Sequence, residues 1–184
     1  PKGKFYKLLD GRNINKYSVN WGDVYLDYNL DRIHSCKTKD IFITPEKLMF
    51  RRVSSKLIFC YDDEQYFALN TIVVVNLLQP KEYKIKYLLG ILNSNLMDYY
   101  YRNKHKSTKT VFSEIQARSI GELPIIKASK VEQERIVTIV DKIITAKKKS
   151  SEIDTSIFEK QIDEMVYKLY ELTEEEIALI EGNE

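Results

Sequence analysis

The period of the hydrophobic pattern changes near Leu123-Pro124, and this change limits the possible folds more than any other feature of the chain. Downstream, Ile136, Ile139, Val140, Ile143 and Ile144 recur at the spacing of one helix face. Ile153, Ile157, Ile162, Met165, Val166 and Leu169 form a second, less regular stripe. Between the stripes lies Lys147-Lys148-Lys149-Ser150-Ser151, where Ser151 followed by Asp154 reads as an N-cap with a first-turn acid. That reading turns the chain back on itself at Ser151; a single kinked helix is the alternative. Thr173 with Glu176 has the Thr-x-x-Glu form of a capping box and opens a short terminal helix through Ile177 and Ile180.

Upstream, apolar residues come in short runs divided by turn formers. Gly11-Arg12-Asn13 and Trp21-Gly22-Asp23 read as turns, and Pro45 ends the run Ile41-Phe42-Ile43-Thr44. Leu48 to Val53 and Lys56 to Tyr61 flank Ser54-Ser55 as the two arms of a hairpin. Asp62-Asp63-Glu64 turns the chain toward Tyr66-Phe67-Ala68-Leu69, and the β-branched run over 71–75 predicts a strand buried on both faces. One helix is embedded here, from about Lys84 to Arg102, with Ile85, Leu88, Leu89, Leu92 and Leu96 on one side. The polar segment 103–110 after it has no apolar period and reads as an exposed loop. The expected fold class is α+β: a mostly β domain with an embedded helix over 1–126, then a helical tail over 127–184.

The charge divides in the same way. Residues 1–112 hold 19 Lys+Arg against 11 Asp+Glu, a net +8, and residues 113–184 hold 10 against 16, a net −6, which together give the chain's +2. Such a split suits a polyanion at the first part and another task for the second. No apolar run approaches the roughly 20 residues of a membrane span, and Pro1-Lys2-Gly3-Lys4 does not begin a signal peptide. A start without Met suits a piece of a longer protein. Cys36 and Cys60 are too few for a disulfide framework or a four-cysteine zinc site, and they read as reduced, buried thiols of a cytoplasmic protein.

No catalytic constellation is complete. The six glycines are scattered, so no Gly-rich loop is available to cradle phosphates, and the four prolines are isolated. His34 and His105 lack partners at metal-ligand or nucleophile spacing and read as surface residues. Asp63, Glu82 and Lys84 have the loose Asp…Glu-x-Lys form in which two carboxylates hold Mg²⁺ and a lysine assists water. They define the alternative reading, a metal-dependent DNA endonuclease, although Glu-x-Lys is common by chance in a charge-rich chain.

Several segments, taken in order, carry a family resemblance. Leu48-Met49-Phe50-Arg51-Arg52 with Cys60-Tyr61-Asp62-Asp63-Glu64-Gln65-Tyr66 resembles a strand, turn and strand of the C-terminal specificity domain in TaqI-like adenine DNA methyltransferases and type IIG restriction enzymes. Tyr87-Leu88-Leu89-Gly90-Ile91-Leu92-Asn93-Ser94 resembles the family's Leu-Asn-Ser helix. Leu123-Pro124-Ile125 resembles its Leu-Pro-Ile-Pro exit, with Ile126 in place of the second proline. Gln133-Glu134-Arg135-Ile136-Val137 and the stretch from Ile162 to Ile177 resemble its helical tail, while residues 1–47 match least. The specificity subunits of type I restriction systems are similar in plan.

The resemblance implies a module that reads double-stranded DNA for an adenine methyltransferase domain, and in some relatives a nuclease domain, outside this chain. S-adenosylmethionine and Mg²⁺ would then serve the parent enzyme, with no cofactor, metal or catalytic residue in this chain. The helical tail would dock the methyltransferase domain in cis or a partner subunit. Candidate DNA contacts are Arg12, Lys37, Lys39, Arg51, Arg52, Lys104, His105, Lys106, Ser107, Thr108 and Lys109. Arg51 and Arg52 are neighbours on a strand and point to opposite faces, so at most one reaches DNA from that strand's face.

Overall fold

The computed structural model describes residues 5–34, 36–78, 80–105 and 114–182. In chain order the elements are β1 (Phe5–Leu9), a 3₁₀ turn (Gly11–Asn13), β2 (Ile14–Asn15), β3 (Ser18–Val19), β4 (Tyr25–Asp27), a second 3₁₀ turn (Lys39–Ile41) and β5 (Lys47–Arg51). Then follow β6 (Phe59–Asp62), β7 (Phe67–Ala68), β8 (Ile72–Val75), α1 (Ile85–Asn93) and α2 (Asn95–Lys104). The chain closes with α3 (Ala117–Gly121), α4 (Lys130–Lys149), α5 (Ser156–Leu169) and α6 (Glu174–Glu181). The architecture is α+β, with the helices concentrated in the C-terminal part.

The organising layer is an antiparallel sheet in the order β6-β5-β8, with Met49 opposite Cys60 on one side and Val74 on the other. Alternation along these strands feeds two cores. Leu48, Phe50, Phe59 and Val73 face the helices, whereas Met49, Cys60, Ile72 and Val74 face Leu9 and Ile14 on the other side. The run over 71–75 thus has apolar neighbours on both faces, as its β-branching predicts. β8 is nevertheless an edge strand, and only Ile72 of its four residues is buried. A second sheet, β4-β1-β7, pairs β1 antiparallel to β4 and parallel to β7. β2 and β3 form a small hairpin.

The register of β5 on β6 centres the hairpin on Ser54-Ser55, but the paired arms are shorter than the apolar runs. The other edge of β6 is met by Tyr17 N–H, which donates to Phe59 C=O at 2.9 Å, and by side chains of α1 and α2. The amide of Asn93 acts as a surrogate strand, accepting from Phe59 N–H at 2.9 Å and donating to Phe59 C=O at 3.0 Å. Asp98 accepts from Leu57 N–H at 2.8 Å. Buried donors and acceptors left unpaired are costly, so this asparagine closes an edge that the sheet leaves open.

The helix expected over 84–102 is two helices. Ser94 is extended (φ −67°, ψ 155°) and its hydroxyl caps α2 by accepting from Met97 N–H. Apolar spacing survives a one-residue break, which is why periodicity alone misses it. The start of α5 also differs from the reading at Ser151: the helix begins at Ser156 with Thr155 as N-cap, and Asp154 instead accepts from Ser156 N–H. The stretch 150–155 therefore connects α4 to α5. Thr173 and Glu176 do form the capping box, and Ser129 with Glu132 forms another at the head of α4. Cys60 is buried, but Cys36 is exposed in a loop with φ 50°, and both are free thiols.

One hydrophobic cluster runs from the sheet through α1 and α2 into the tail, including Phe50, Leu89, Ile136, Val140, Ile143, Ile162 and Val166. Gly90 allows the close approach of α1 to α4: a Cβ there would lie 2.7 Å from Ile136 Cγ2 and 3.2 Å from Val140 Cγ2. Buried polar groups of the tail also reach back to the first part. Gln133 accepts from Lys84 N–H, the N-cap residue of α1, and donates to the carbonyls of Glu82 and Ala128. Asp163 accepts from Asn95 N–H at the start of α2. Each fills an N–H that a helix leaves orphaned. Burial raises the Asp163 carboxyl to about 6, against the Asn95 hydrogen bond that favours its charged form. The exit segment is held likewise: Tyr170 Oη donates to Pro124 C=O and accepts from Ile126 N–H, and Tyr87 Oη donates to Ile126 C=O.

Candidate nucleic-acid interface

Two of the arginines read from the sequence, Arg12 and Arg51, meet at one corner, and Arg52 lies beside it. Asp10, directly after β1, caps the following 3₁₀ turn by accepting from Arg12 N–H at 2.7 Å. Asn13 returns the cap by accepting from Asp10 N–H. Gly11 donates to Thr71 Oγ1 at 2.9 Å, and a Cβ at Gly11 would sit 3.2 Å from Thr71 C=O. The turn between β7 and β8 is thereby locked against the turn after β1.

The end of β5 brings in the other two. Arg51 donates to Ile14 C=O from the side of the sheet that carries Met49, and its Nε is buried without a hydrogen-bond partner among the described residues. Arg52 pairs with the Glu114 carboxylate and donates to Asn70 C=O at 3.3 Å. The two arginines diverge as strand alternation requires, and each is engaged with protein. Val53 bridges Glu114, and Ile115 N–H donates to Arg52 C=O at 2.7 Å. Asp10, Gly11, Arg12, Arg51, Val53, Leu69 and Thr71 line an open concavity of about 450 Å³ at this corner.

The remaining candidates lie elsewhere. Lys39 sits 4.6 Å over the Tyr6 ring, and the Lys37 carbonyl accepts from Tyr28 Oη. Both belong to an aromatic group of Tyr6, Tyr28, Phe42 and Phe67. Tyr6 and Asp10 are separated by four residues of extended chain, roughly 13 Å at strand rise. Lys104 closes α2, 5.5 Å over the Tyr100 ring and 3.9 Å from Glu122. His105 lies tilted against Tyr101, ring centroids 4.9 Å apart, and is half-buried rather than a free surface residue; its backbone N–H closes the C-terminal turn of α2 by donating to Tyr101 C=O. Lys106, Ser107, Thr108 and Lys109 lie outside the described residues. The chain leaves the described structure after His105 and re-enters it at Glu114, beside Arg52.

The nuclease-like set is not gathered. Asp63 pairs with Lys148, Glu82 with Lys127, and Lys84 with Glu134. Among the described residues no group of three or more His, Cys, Asp or Glu could hold a metal ion. Asp62, read as a turn residue, ends β6 and is fully buried in an ion pair with Lys47 directly across on β5. Its carboxylate also accepts from the N–H groups of Glu64 and Tyr66, so it builds the turn that follows. One acid in the run Asp62-Asp63-Glu64 gives no sign of burial in sequence, and only the cross-strand register reveals the pair. A cleft of about 970 Å³ between the β2–β3 hairpin, α2, α5 and α6 is lined by charges of both signs, among them Lys16, Arg102, Glu159 and Asp163. No helix among the described residues is long and apolar enough to cross a membrane.

Comparison with known proteins shows the family to which this strand-rich unit and its helical buttress belong. A family model for the TaqI-like C-terminal specificity domain matches residues 6–125. The chain belongs to that family. It is also 27% identical over 151 residues to a proposed type II restriction enzyme and methyltransferase of Methanocaldococcus jannaschii. That match takes in 79% of this chain and 13% of the archaeal protein, so the chain spans a small part of its relative's length.

Proposed function

We propose that this chain reads a short sequence of double-stranded DNA and directs an adenine methyltransferase domain, in cis or on a partner subunit, to a base within it. The family match over residues 6–125 carries this reading. The net +8 of residues 1–112 supplies the phosphate-binding charge such a module needs, and the corner around Arg12 supplies side chains suited to base edges. Methyl transfer, with S-adenosylmethionine, and any Mg²⁺-dependent cleavage are the work of the parent enzyme in the cytoplasm. The tail acts here first as a buttress. Its outward apolar residues, Val131 and Ile157, are available to dock the methyltransferase domain or a partner.

The test is a salt titration of duplex binding followed by fluorescence anisotropy. Replacing Lys104, Lys106 and Lys109 with Ala should weaken binding on every duplex. It should also flatten log affinity against log salt by about 0.9 for each phosphate that is no longer neutralised. An unchanged slope would remove this segment from the interface, and no binding at any salt would remove the function.

A further inference from the structure

We propose that Arg12 is a guanine-reading residue, held side-on by Asp10 so that the opposite edge of its guanidinium faces O6 and N7 of a guanine in the major groove. The assignment rests on the target-recognition reading and deepens it.

A guanidinium has a side-on edge, Nε with Nη2, and an end-on edge, Nη1 with Nη2. Asp10 occupies the side-on edge: Nε donates to Oδ1 at 3.3 Å and Nη2 to Oδ2 at 2.8 Å. The same carboxylate accepts from the backbone N–H of Arg12 at 2.7 Å. The end-on fork has no partner among the described residues, and the side chain is 92% exposed. An exposed arginine whose guanidinium is held by two hydrogen bonds, to a carboxylate itself fixed by a backbone N–H, has already lost part of the rotamer freedom that it would otherwise surrender on binding. The platform beneath it is equally fixed, by the Asp10–Asn13 capping box and by the Gly11 hydrogen bond to Thr71.

The neighbours narrow the choice. Arg51 shares the corner and Arg52 borders it, but each is engaged with protein: Arg51 Nη2 with Ile14 C=O, and Arg52 with Glu114 and Asn70 C=O. Only Arg12 presents its end-on fork outward. Val53 and Leu69 line the same concavity and are 48% and 47% exposed, apolar surface suited to a base edge or a thymine methyl rather than to phosphate.

Charge separates the two partners a fork can take. Phosphate and guanine both accept a bidentate arginine. A guanidinium already paired with a carboxylate is close to neutral, so it contributes little to counterion release, and the carboxylate behind it repels a phosphate. Its directed N–H groups still suit the two acceptors of guanine. Adenine instead presents a donor beside N7, and cytosine presents a donor alone.

The experiment selects bound duplexes from a randomised pool with the full chain. Affinities are then measured on the preferred duplex and on all base pairs at each position. Arg12→Ala should lose about 5- to 150-fold on the preferred duplex, abolish discrimination at one G·C pair and leave the other positions unchanged. The salt slope should move by far less than 0.9. Arg12→Lys should not rescue, because an ammonium has no planar fork. Asp10→Asn keeps an acceptor for the Arg12 backbone N–H but frees the guanidinium. It should lower discrimination at that same pair while tightening binding to unrelated duplexes. Equal weakening on all duplexes with a slope change near 0.9 would make Arg12 a phosphate contact and overturn the proposal. So would unaltered selectivity in a variant of native thermal stability. A wild-type chain that binds DNA but enriches no sequence would overturn the target-recognition reading and the assignment with it.

Discussion

In the sheet, Lys47 and Asp62 face one another across β5 and β6, wholly buried, and satisfy each other and the local turn. In the helical part, Gln133 on α4 and Asp163 on α5 reach outward to backbone N–H groups at the starts of α1 and α2. The strand-rich part keeps its buried charge internal, while the tail uses buried polar groups to complete its neighbour. The tail is therefore part of what holds α1 and α2 in place, and α2 leads directly into the basic segment that starts at Lys104. The apolar stripes tell the same story, since Ile136, Val140 and Ile143 pack into the cluster that contains the sheet.

The contrast can be broken from either side. Asp62→Leu leaves Lys47 buried and unpaired and strips two N–H groups of their acceptor. The expected loss is about 3–5 kcal/mol in urea unfolding. Adding Lys47→Met should recover only part of it, because Glu64 and Tyr66 still lack their acceptor. Full recovery would show that the pair does no more than neutralise itself. Gln133→Leu should cost less, about 1–3 kcal/mol, through the orphaned Lys84 N–H and its companion carbonyls. That loss should appear in one cooperative transition seen by both near- and far-ultraviolet circular dichroism. Two separated transitions would mean that the parts unfold independently. The smallest effect belongs to Lys148→Ala. The Lys148–Asp63 pair links the tail to the β6–β7 turn, but both side chains are well exposed, so about 0–1 kcal/mol is expected, falling further with salt. A larger loss would place surface charge among the forces joining the two parts.

The particular residues show which signals a linear pattern carries. The Thr173–Glu176 capping box, the stripe on α4 and the centre of the β5–β6 hairpin are legible because each depends on near neighbours in sequence. The break at Ser94 is not, because a serine that caps a helix and one that rides on its surface look alike until the hydroxyl's partner is known. Asp62 reads as a turn residue and Asp63 as a candidate metal ligand, but the register buries the first and Lys148 engages the second. Arg12 is one of eleven candidates in the sequence. Asp10, two residues earlier, is a local neighbour that Lys37 lacks, but the platform that fixes the pair is built with Thr71, sixty residues from Gly11.

The sequence by itself determined the α+β class, the change of period near Leu123-Pro124, the split of charge and the family resemblance. All of these are carried by the spacing of residue types along the chain. Only the tertiary structure decided that Gly90 admits α4, that Asn93 closes the free edge of β6, and that Gln133 and Asp163 cap helices of the first part. It alone gathered Arg12 and Arg51 at one corner while parting Asp63, Glu82 and Lys84. The physical reason is that hydrogen bonds and ion pairs act over a few ångströms. Partners brought that close by distant segments have no fixed separation in sequence.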